Sequence, residues 1–432
     1  MRTVSWGASF PAEWPRTRIK HVGRFAGGGT PDKSNATFWN GDIPWVSPKD
    51  MKSATIEDTE DHITLDGLQN SATKLVAPGA VLIVMRSGIL RHTIPVAINR
   101  VPVALNQDMR AITPLPFVEA RFLARLLEGH QQQLLNAWSK VGSTVESLES
   151  DLVGETEIAI PPLPQQRAIA DYLDRETARL DALVAAKERV LGLLAEKRRA
   201  LITSAVTRGL DPRAPLRDSG IPWLGEIPAH WNAPPVYARF EAQLGKMLDE
   251  KKIKGTDLVP YLRNVDVQWG AINTSDLPEM DFDEDDRRRY ALRAGDILVC
   301  EGGEVGRCAM WEGTHPECYY QKALHRLRPV GGKDEPAFFV LVMRAIVDSG
   351  QFALQSSAAT IQHLPAEKLR VVRYPAPPLD EQRAIVAWLR SETGKLDAVV
   401  VATEHTIGLL KERRDALIAA AVTGQIDVES AA

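Results

Sequence analysis

Only three cysteines occur in the 432 residues, Cys300, Cys308 and Cys318, and none forms a CxxC pair. Their spacing, without histidines in metal register, excludes a zinc module, and the odd count speaks against a disulfide framework. A reduced cytoplasm is the expected setting. Long apolar runs are also lacking. The longest, Ala80 to Met85, is far shorter than the ~20 residues needed to span a bilayer, and the opening MRTVSWGASFPAEW has no signal-peptide core, so neither secretion nor a membrane is expected. A basic excess is missing too, since the formal net charge is −4. Any nucleic-acid binding must therefore be local, or partners must supply part of the positive surface.

Catalytic signatures are equally scarce. No GxxxxGK[ST] loop marks an ATPase. The run Phe25 to Gly29 fits FxGxG, a methyltransferase cofactor-loop pattern, but Arg18 to Arg24 is too charged for a buried strand and Pro31 falls where a helix would begin. The Asp/Asn-Pro-Pro-aromatic motif of adenine methyltransferases is absent; Asn232-Ala233-Pro234-Pro235-Val236 has an intruding alanine and no aromatic. The nine histidines form no HxxxH pattern, and the acidic stretch Asp276 to Asp286, followed by Arg287-Arg288-Arg289, is read as a solvated loop rather than a metal site. The chain is expected to be non-catalytic.

What the sequence does contain is a duplication. The segments beginning at Pro161 and Pro377 share 28 of 51 positions at a fixed shift of 216 without a gap, which marks an internal repeat. The shift persists more weakly elsewhere. Ile43-Pro44-Trp45-Val46 meets Val259-Pro260-Tyr261-Leu262, Asp50 meets Asp266, and Ala77 to Val84 meets Arg293 to Cys300. Thr144-Val145 falls over Thr360-Ile361, and at a shift of 217 Trp6, Pro11, Ala12 and Trp14 meet Trp223, Pro228, Ala229 and Trp231. The unit that repeats is a divergent, strand-rich module followed by a near-constant helical part. Apolar runs such as Ala80–Met85 and Asp296–Cys300, bounded by Pro or Gly, are predicted as buried strands.

The helical part carries a seam at heptad spacing: Leu173, Leu180, Leu194 and Leu201 with Val184 and Leu191, matched by Leu389, Leu396, Leu410, Leu417, Val400 and Ile407. Thr177, Lys187, Arg198, Thr393, Thr403 and Arg414 interrupt it. Each helix is expected to run about 40 residues, roughly 60 Å. Pro161, Pro162 and Pro164 stop the preceding strand, and Gly209 or Gly424 ends each helix. Residues that look exposed also match between the copies, among them Gln166/Gln382, Arg167/Arg383, Glu176/Glu392 and Asp181/Asp397, so both helical regions are expected to dock the same kind of partner, with Gln166, Arg167, Gln382 and Arg383 as contacts.

The run Gly28-Gly29-Thr30-Pro31 through Phe38-Trp39-Asn40-Gly41-Asp42-Ile43-Pro44-Trp45-Val46 resembles the opening of a target-recognition domain in type I restriction–modification specificity subunits. Pro162-Leu163-Pro164-Gln165-Gln166-Arg167-Ala168-Ile169 and its repeat Pro378-Leu379-Asp380-Glu381-Gln382-Arg383-Ala384-Ile385 are similar to that family's helical regions. The second module departs from the pattern, having Gln243-Leu244-Gly245-Lys246 in place of GGTP. The resemblance implies a mixed α/β (α+β) fold: two tandem target-recognition domains joined by a pair of long antiparallel coiled-coil helices about a pseudo-two-fold internal repeat. It divides the chain into a first recognition domain (1–160), a central helical region (161–211), a linker with the second recognition domain (212–376) and a C-terminal helical region (377–432). It implies a reader of an asymmetric, bipartite site in double-stranded DNA that docks two modification subunits and, in the full complex, restriction/translocase subunits. This chain would hold no cofactor; S-adenosylmethionine, ATP and Mg belong to the partners. A free-standing methyltransferase with a fused specificity region and a coiled-coil scaffold without a nucleic-acid role are the rival readings.

Polar side chains on predicted loops are the candidate DNA contacts, since Arg and Lys pair with guanine or phosphate and Asn and Gln with adenine. In the first module these are Lys33, Ser34, Asn35, Ser47, Lys49, Arg86, Ser87, Arg91, His92, Asn106, Gln107 and Lys140. In the second they are Lys251, Lys252, Lys254, Arg263, Asn264, Arg307, Tyr320, Gln321, Lys322, Gln362 and His363.

Overall fold

The computed structural model describes residues 9–140, 145–247, 255–256, 258–352 and 363–428. Of the repeat correspondences, those at Trp6, Thr144, Thr360 and Ile361 lie outside the described residues. Two compact units emerge, one of residues 1–188 with 405–432 and the other of residues 189–404. The helical regions 161–211 and 377–432 do not stand apart as units: half of each long helix packs with each module.

In the first unit the apolar run around residue 82 becomes the strand Val81–Val84, wholly buried at the centre of a five-stranded sheet. The sheet order is Gly23–Gly27, Met109–Pro114, Val81–Val84, Val96–Asn99, Thr55–Ile56. A smaller sheet places Trp39–Val46 between His62–Ile63 and Ala104–Leu105, the last pairing being parallel. The helix Ala120–Glu128 buries Phe122, Leu123, Leu126 and Leu127 in the same core.

The second unit repeats this connectivity. Its sheet runs Phe240–Leu244, Leu324–Pro329, Ile297–Cys300, Cys308–Met310, and Leu258–Leu262 lies between Glu279–Asp281 and a parallel Tyr319–Tyr320. Ile297–Cys300 is again fully buried, and Pro336–Asp348 supplies the covering helix. Both buried strands follow a tight turn at a left-handed glycine, Gly79 with φ 90° and Gly295 with φ 92°, a conformation that costs little without a Cβ. Gly79 and Gly295 are counterparts at the shift of the repeat, so the duplication extends from sequence to backbone conformation.

The acidic stretch is not a loop. Glu279–Asp281 is a strand and Glu284–Tyr290 a helix, whose N-cap Asp283 accepts a hydrogen bond from the Asp286 backbone N–H at 2.8 Å. Arg288 then pairs with Asp285 one turn back.

The long helices are Leu163–Arg208 and Leu379–Val422. Pro161 and Pro162 precede the first, but Pro164 lies inside its first turn, where its missing N–H has no helical acceptor to lose. Gly209 (φ 76°) and Gly424 (φ 71°) follow the helix ends. In the first unit Ile169 and Leu173 share a core with Ile418, Ala421 and Val422, and Asp181 pairs with Arg414. One helix therefore ascends as the other descends. In the second unit Ile202, Ala205 and Val206 pack with Ile385 and Leu389, while Arg198 pairs with Asp397, again antiparallel.

Of the heptad positions, Leu173, Leu180, Leu389, Leu396 and Ile407 are buried, and Val184, Leu191, Leu194, Leu201, Val400, Leu410 and Leu417 are half-buried. Two of the interruptions are not gaps. Thr177 and Thr403 are buried, and each hydroxyl donates to the carbonyl four residues back at 2.7 Å. This satisfies the hydroxyl within its own helix.

Candidate nucleic-acid interface

Sheet ends position the polar turns of each module. In the first, the segment after Gly27 must pass close to the end of the strand Ala104–Leu105. Gly29 N donates to Leu105 O at 2.9 Å, and a Cβ on Gly28 would lie 1.8 Å from Asn106 O. Trp45 Nε1 holds the loop from beneath by donating to Gly29 O at 3.0 Å. The glycines serve close backbone approach, not a cofactor cradle. In the second unit Gly245, which aligns with Gly29, makes the kind of approach that Gly28 makes in the first: its Cβ would lie 2.3 Å from Gln321 O. One glycine is enough there, which resolves the missing GGTP.

Around that loop the first module gathers several of its candidates. Thr30 hydrogen-bonds to Gln107, Arg86 Nε lies 2.7 Å from Asp108, and Ser87 N donates to Glu146 O. Arg91 pairs with Glu146 at 2.6 Å, and this guanidinium holds the Glu146 carboxyl below the usual carboxylate range. Both arginines keep more than half of their side-chain surface exposed. His92 and Lys140 are exposed at the same turns. Lys33 is exposed further along; Ser34 donates to Asp32, and Asn35 accepts from Thr37 N to cap a short 3-10 helix. Lys49 stands apart, paired with Asp61 at 2.8 Å and Glu60 at 3.2 Å; the hydrogen bond to Asp61 raises its pKa.

The second module gathers its residues at the turn after Ile297–Cys300. Asn264 Nδ2 donates to Gly302 O at 3.1 Å and its Oδ1 accepts from Arg307 at 3.0 Å. Arg263 pairs with Asp266, His363 lies 3.0 Å from Glu301, and Lys322 is exposed beside Gln321. Lys251, Lys252, Lys254 and Gln362 lie outside the described residues.

Several expected contacts are overturned by burial. Tyr320 is fully buried, its hydroxyl donating to Gln243 O, and burial pushes its pKa up. Ser47 and Asn106 are buried and cap turns through Asp50 and Asp108. The docking role of Gln166 and Gln382 fails for the same reason. Each is fully buried, donates through Nε2 to the carbonyls of Pro161 and Phe117, or Pro377 and Lys333, and accepts from Glu119 N or Glu335 N at 2.8 Å. Every residue of the second set is the counterpart of one in the first at the shift of the repeat. The identity of the two glutamines follows from this clamp. Arg167 and Arg383 remain exposed and lie 3.4 Å from Glu119 and Glu335.

Asp108, Glu146 and Thr30 are absent from the sequence-based candidates; carboxylates that orient arginines carry no loop signature of their own. Among the described residues no group of three or more His, Cys, Asp or Glu is placed to hold a metal ion, and no helix is long and apolar enough to cross a membrane.

Residues 11–191 match the family described as the type I restriction modification DNA specificity domain. Over 164 residues the chain is 36% identical to the EcoR124I/EcoR124II specificity subunit of Escherichia coli, covering 38% of this chain and 40% of that one. It is 31% identical over 166 residues to the MjaIX specificity subunit of Methanocaldococcus jannaschii, covering 38% of each. These matches thus span well under half the length of those two relatives. The StySPI specificity subunit of Salmonella potsdam is 20% identical over 430 residues, covering 97% of this chain and 90% of the other. A solved chain from work on complex assembly and conformational transition of the type I R-M system superposes with TM-score 0.74 at 18% identity, covering 96% of this chain and 99% of that one. The HsdS subunit of Thermoanaerobacter tengcongensis superposes with TM-score 0.53 at 17% identity, covering 96% and 98%. These likenesses support the fold, and the sequence matches show a type I restriction modification DNA specificity domain over residues 11–191 of the chain.

Proposed function

We propose that this protein is the DNA-specificity subunit of a type I restriction–modification complex, reading a two-part asymmetric DNA site in the cytoplasm and performing no catalysis itself. One observation carries the reading: a single scaffold occurs twice, with unlike residues at corresponding turns. Arg86-Ser87 of the first module stands where Gly302-Gly303 stands in the second. Equal scaffolds with unequal edges give unequal half-sites. The reading keeps Lys33, Arg86, Arg91, His92, Gln107 and Lys140 as first-module contacts and Arg263, Arg307, Lys322 and His363 as second-module contacts, with Lys251, Lys252, Lys254 and Gln362.

Two modification subunits bring S-adenosylmethionine for adenine methylation, and restriction/translocase subunits bring ATP and Mg. Their docking surface is the exposed apolar flank of the helices. Leu183 and Leu193 on the first helix and their counterparts Val399 and Leu409 on the second are all exposed. Apolar side chains left in water at positions that repeat between copies favour a partner that binds twice. The number of unread base pairs between half-sites follows helix length.

The test is methylated-base sequencing of a host carrying this chain with its methyltransferase subunit. Adenine methylation at one interrupted, asymmetric motif is expected. Methylation without this chain, or S-adenosylmethionine binding by the purified chain, would favour the free-standing methyltransferase instead.

A further inference from the structure

The two sheets carry an arginine at the same place and treat it differently. Gly27 faces Arg110 in the first, and their counterparts Gln243 and Arg326 face each other in the second. Arg326 is almost wholly buried. Its Nη2 donates to Glu241 at 2.8 Å and its Nη1 to the carbonyls of Arg289 and Ala291 at 3.1 and 3.3 Å. The position of Glu241 is occupied in the first sheet by Phe25. The Nε of both arginines is sealed from solvent without a partner, so the difference lies in the rest of the fork. Arg326 has both Nη atoms engaged, whereas Arg110 has no ion pair and no side-chain hydrogen-bond acceptor among the described residues.

The Arg110 side chain lines a cleft of about 470 Å³ with Lys20, Phe25, Ser150 and Glu155. Glu155 is already engaged, by Arg18 at 2.7 Å and by Lys20, and the hydrogen bond from Lys20 holds its carboxyl below the usual range. Lys20 and Glu155, which line the cleft, are thus engaged with each other, and Arg110 takes no part in that pairing. A guanidinium whose Nη atoms have no internal acceptor keeps them for one that arrives from outside. Its planar fork suits a phosphate. Gly27 leaves open space beside it, with nothing within 4 Å of where a Cβ would be, and Asp108, which orients Arg86, is two residues away.

We propose that Arg110 binds a backbone phosphate of DNA beside the reading loops of the first module. The inference rests on the DNA-reading function above and adds a contact confined to one half of the chain: Arg326 has spent the same guanidinium on Glu241.

The experiment measures binding of the full chain, with its methyltransferase subunit, to a duplex bearing the motif and to a scrambled duplex over a series of salt concentrations. Arg110→Gln and Phe25→Glu are compared with wild type, the second supplying Arg110 with the carboxylate that Glu241 gives Arg326. Both variants are expected to bind several-fold more weakly on both duplexes, with the salt slope reduced by about one. Phe25→Glu separates a ligand contact from a structural role, because it gives Arg110 an internal partner while removing its availability. Arg326→Gln is expected to lower the melting temperature without changing the slope. An unchanged slope in both Arg110→Gln and Phe25→Glu would overturn the proposal, as would a changed half-site sequence. Loss of inorganic phosphate binding with an unchanged DNA slope would assign a free anion and overturn it too. Failure of the wild-type complex to bind either duplex would bring down the functional reading itself, and this contact with it.

Discussion

Arg414 Nε lies 3.1 Å from Asp181 Oδ1, and their repeat counterparts exchange partners: Arg198, which corresponds to Arg414, pairs with Asp397, which corresponds to Asp181. Two helices that pair in this reciprocal way can only run antiparallel, and the seam arginines that interrupt the heptads fix their register. A double-mutant cycle on Arg198→Ala and Asp397→Ala is expected to show coupling of about 0.2–1 kcal/mol, the range for an exposed pair. Charge reversal by Asp397→Arg should lower the melting temperature, and Arg198→Asp should restore it. Additive effects would mean the two side chains do not meet.

Gln166 and Gln382 act as buried clamps between the first helical turn and the module before it. Gln166→Leu leaves Glu119 N and two carbonyls without partners, at a cost of about 2 kcal/mol or more. Urea denaturation should show this loss in both Gln166→Leu and Gln382→Leu. Assembly with the methyltransferase subunit, measured at a temperature where the variants stay folded, should remain at wild-type affinity.

Gly28→Ala would force a Cβ into Asn106 O, whereas Gly27→Ala would meet open space. The first change is expected to cost about 1–3 kcal/mol and to abolish recognition of one half-site. Gly27→Ala should melt with wild type. Gly245→Ala, aimed at Gln321 O, should impair the other half-site only. Methylation assays on duplexes altered in one half-site at a time distinguish these outcomes.

His325 is fully buried, with Nε2 2.8 Å from Leu364 O, and burial lowers its pKa from 6.5; His130 is lowered by burial as well. A folded-state pKa below the unfolded one means that the unfolded chain takes up protons first as pH falls. The stabilisation is full above about pH 6.5 and is lost as pH drops toward the folded pKa. Unfolding free energy should therefore fall as pH drops below about 6.5, and more gently in His325→Gln. An identical pH dependence in the variant would remove His325 as a cause.

The helices and the duplication were legible because repetition at a fixed shift needs no three-dimensional knowledge, and the buried strands followed from the apolar runs after Gly79 and Gly295. The helix ends were harder. Ile169, Ile202, Ala205, Ile418 and Val422 are buried off the heptad seam because there the helices pack against the modules rather than only against each other. Gln166 read as surface, since nothing local in its sequence signals an N–H at Glu119 in need of an acceptor. Tyr320 and Asn106 look like loop residues in the sequence, and only the packing shows that they are buried in support of the turns instead of facing outward. Arg110 escaped notice for the converse reason: its distinction is the carboxylate that Phe25 does not supply.

That each copy of the module reads its own half of the DNA site is tested most directly by replacing residues 16–160 with the corresponding module of another specificity subunit and sequencing the methylated bases in a host that carries the hybrid. One half of the motif should change while the other half and the spacer stay as they were. A motif unchanged in both halves, or altered in both, would contradict the account.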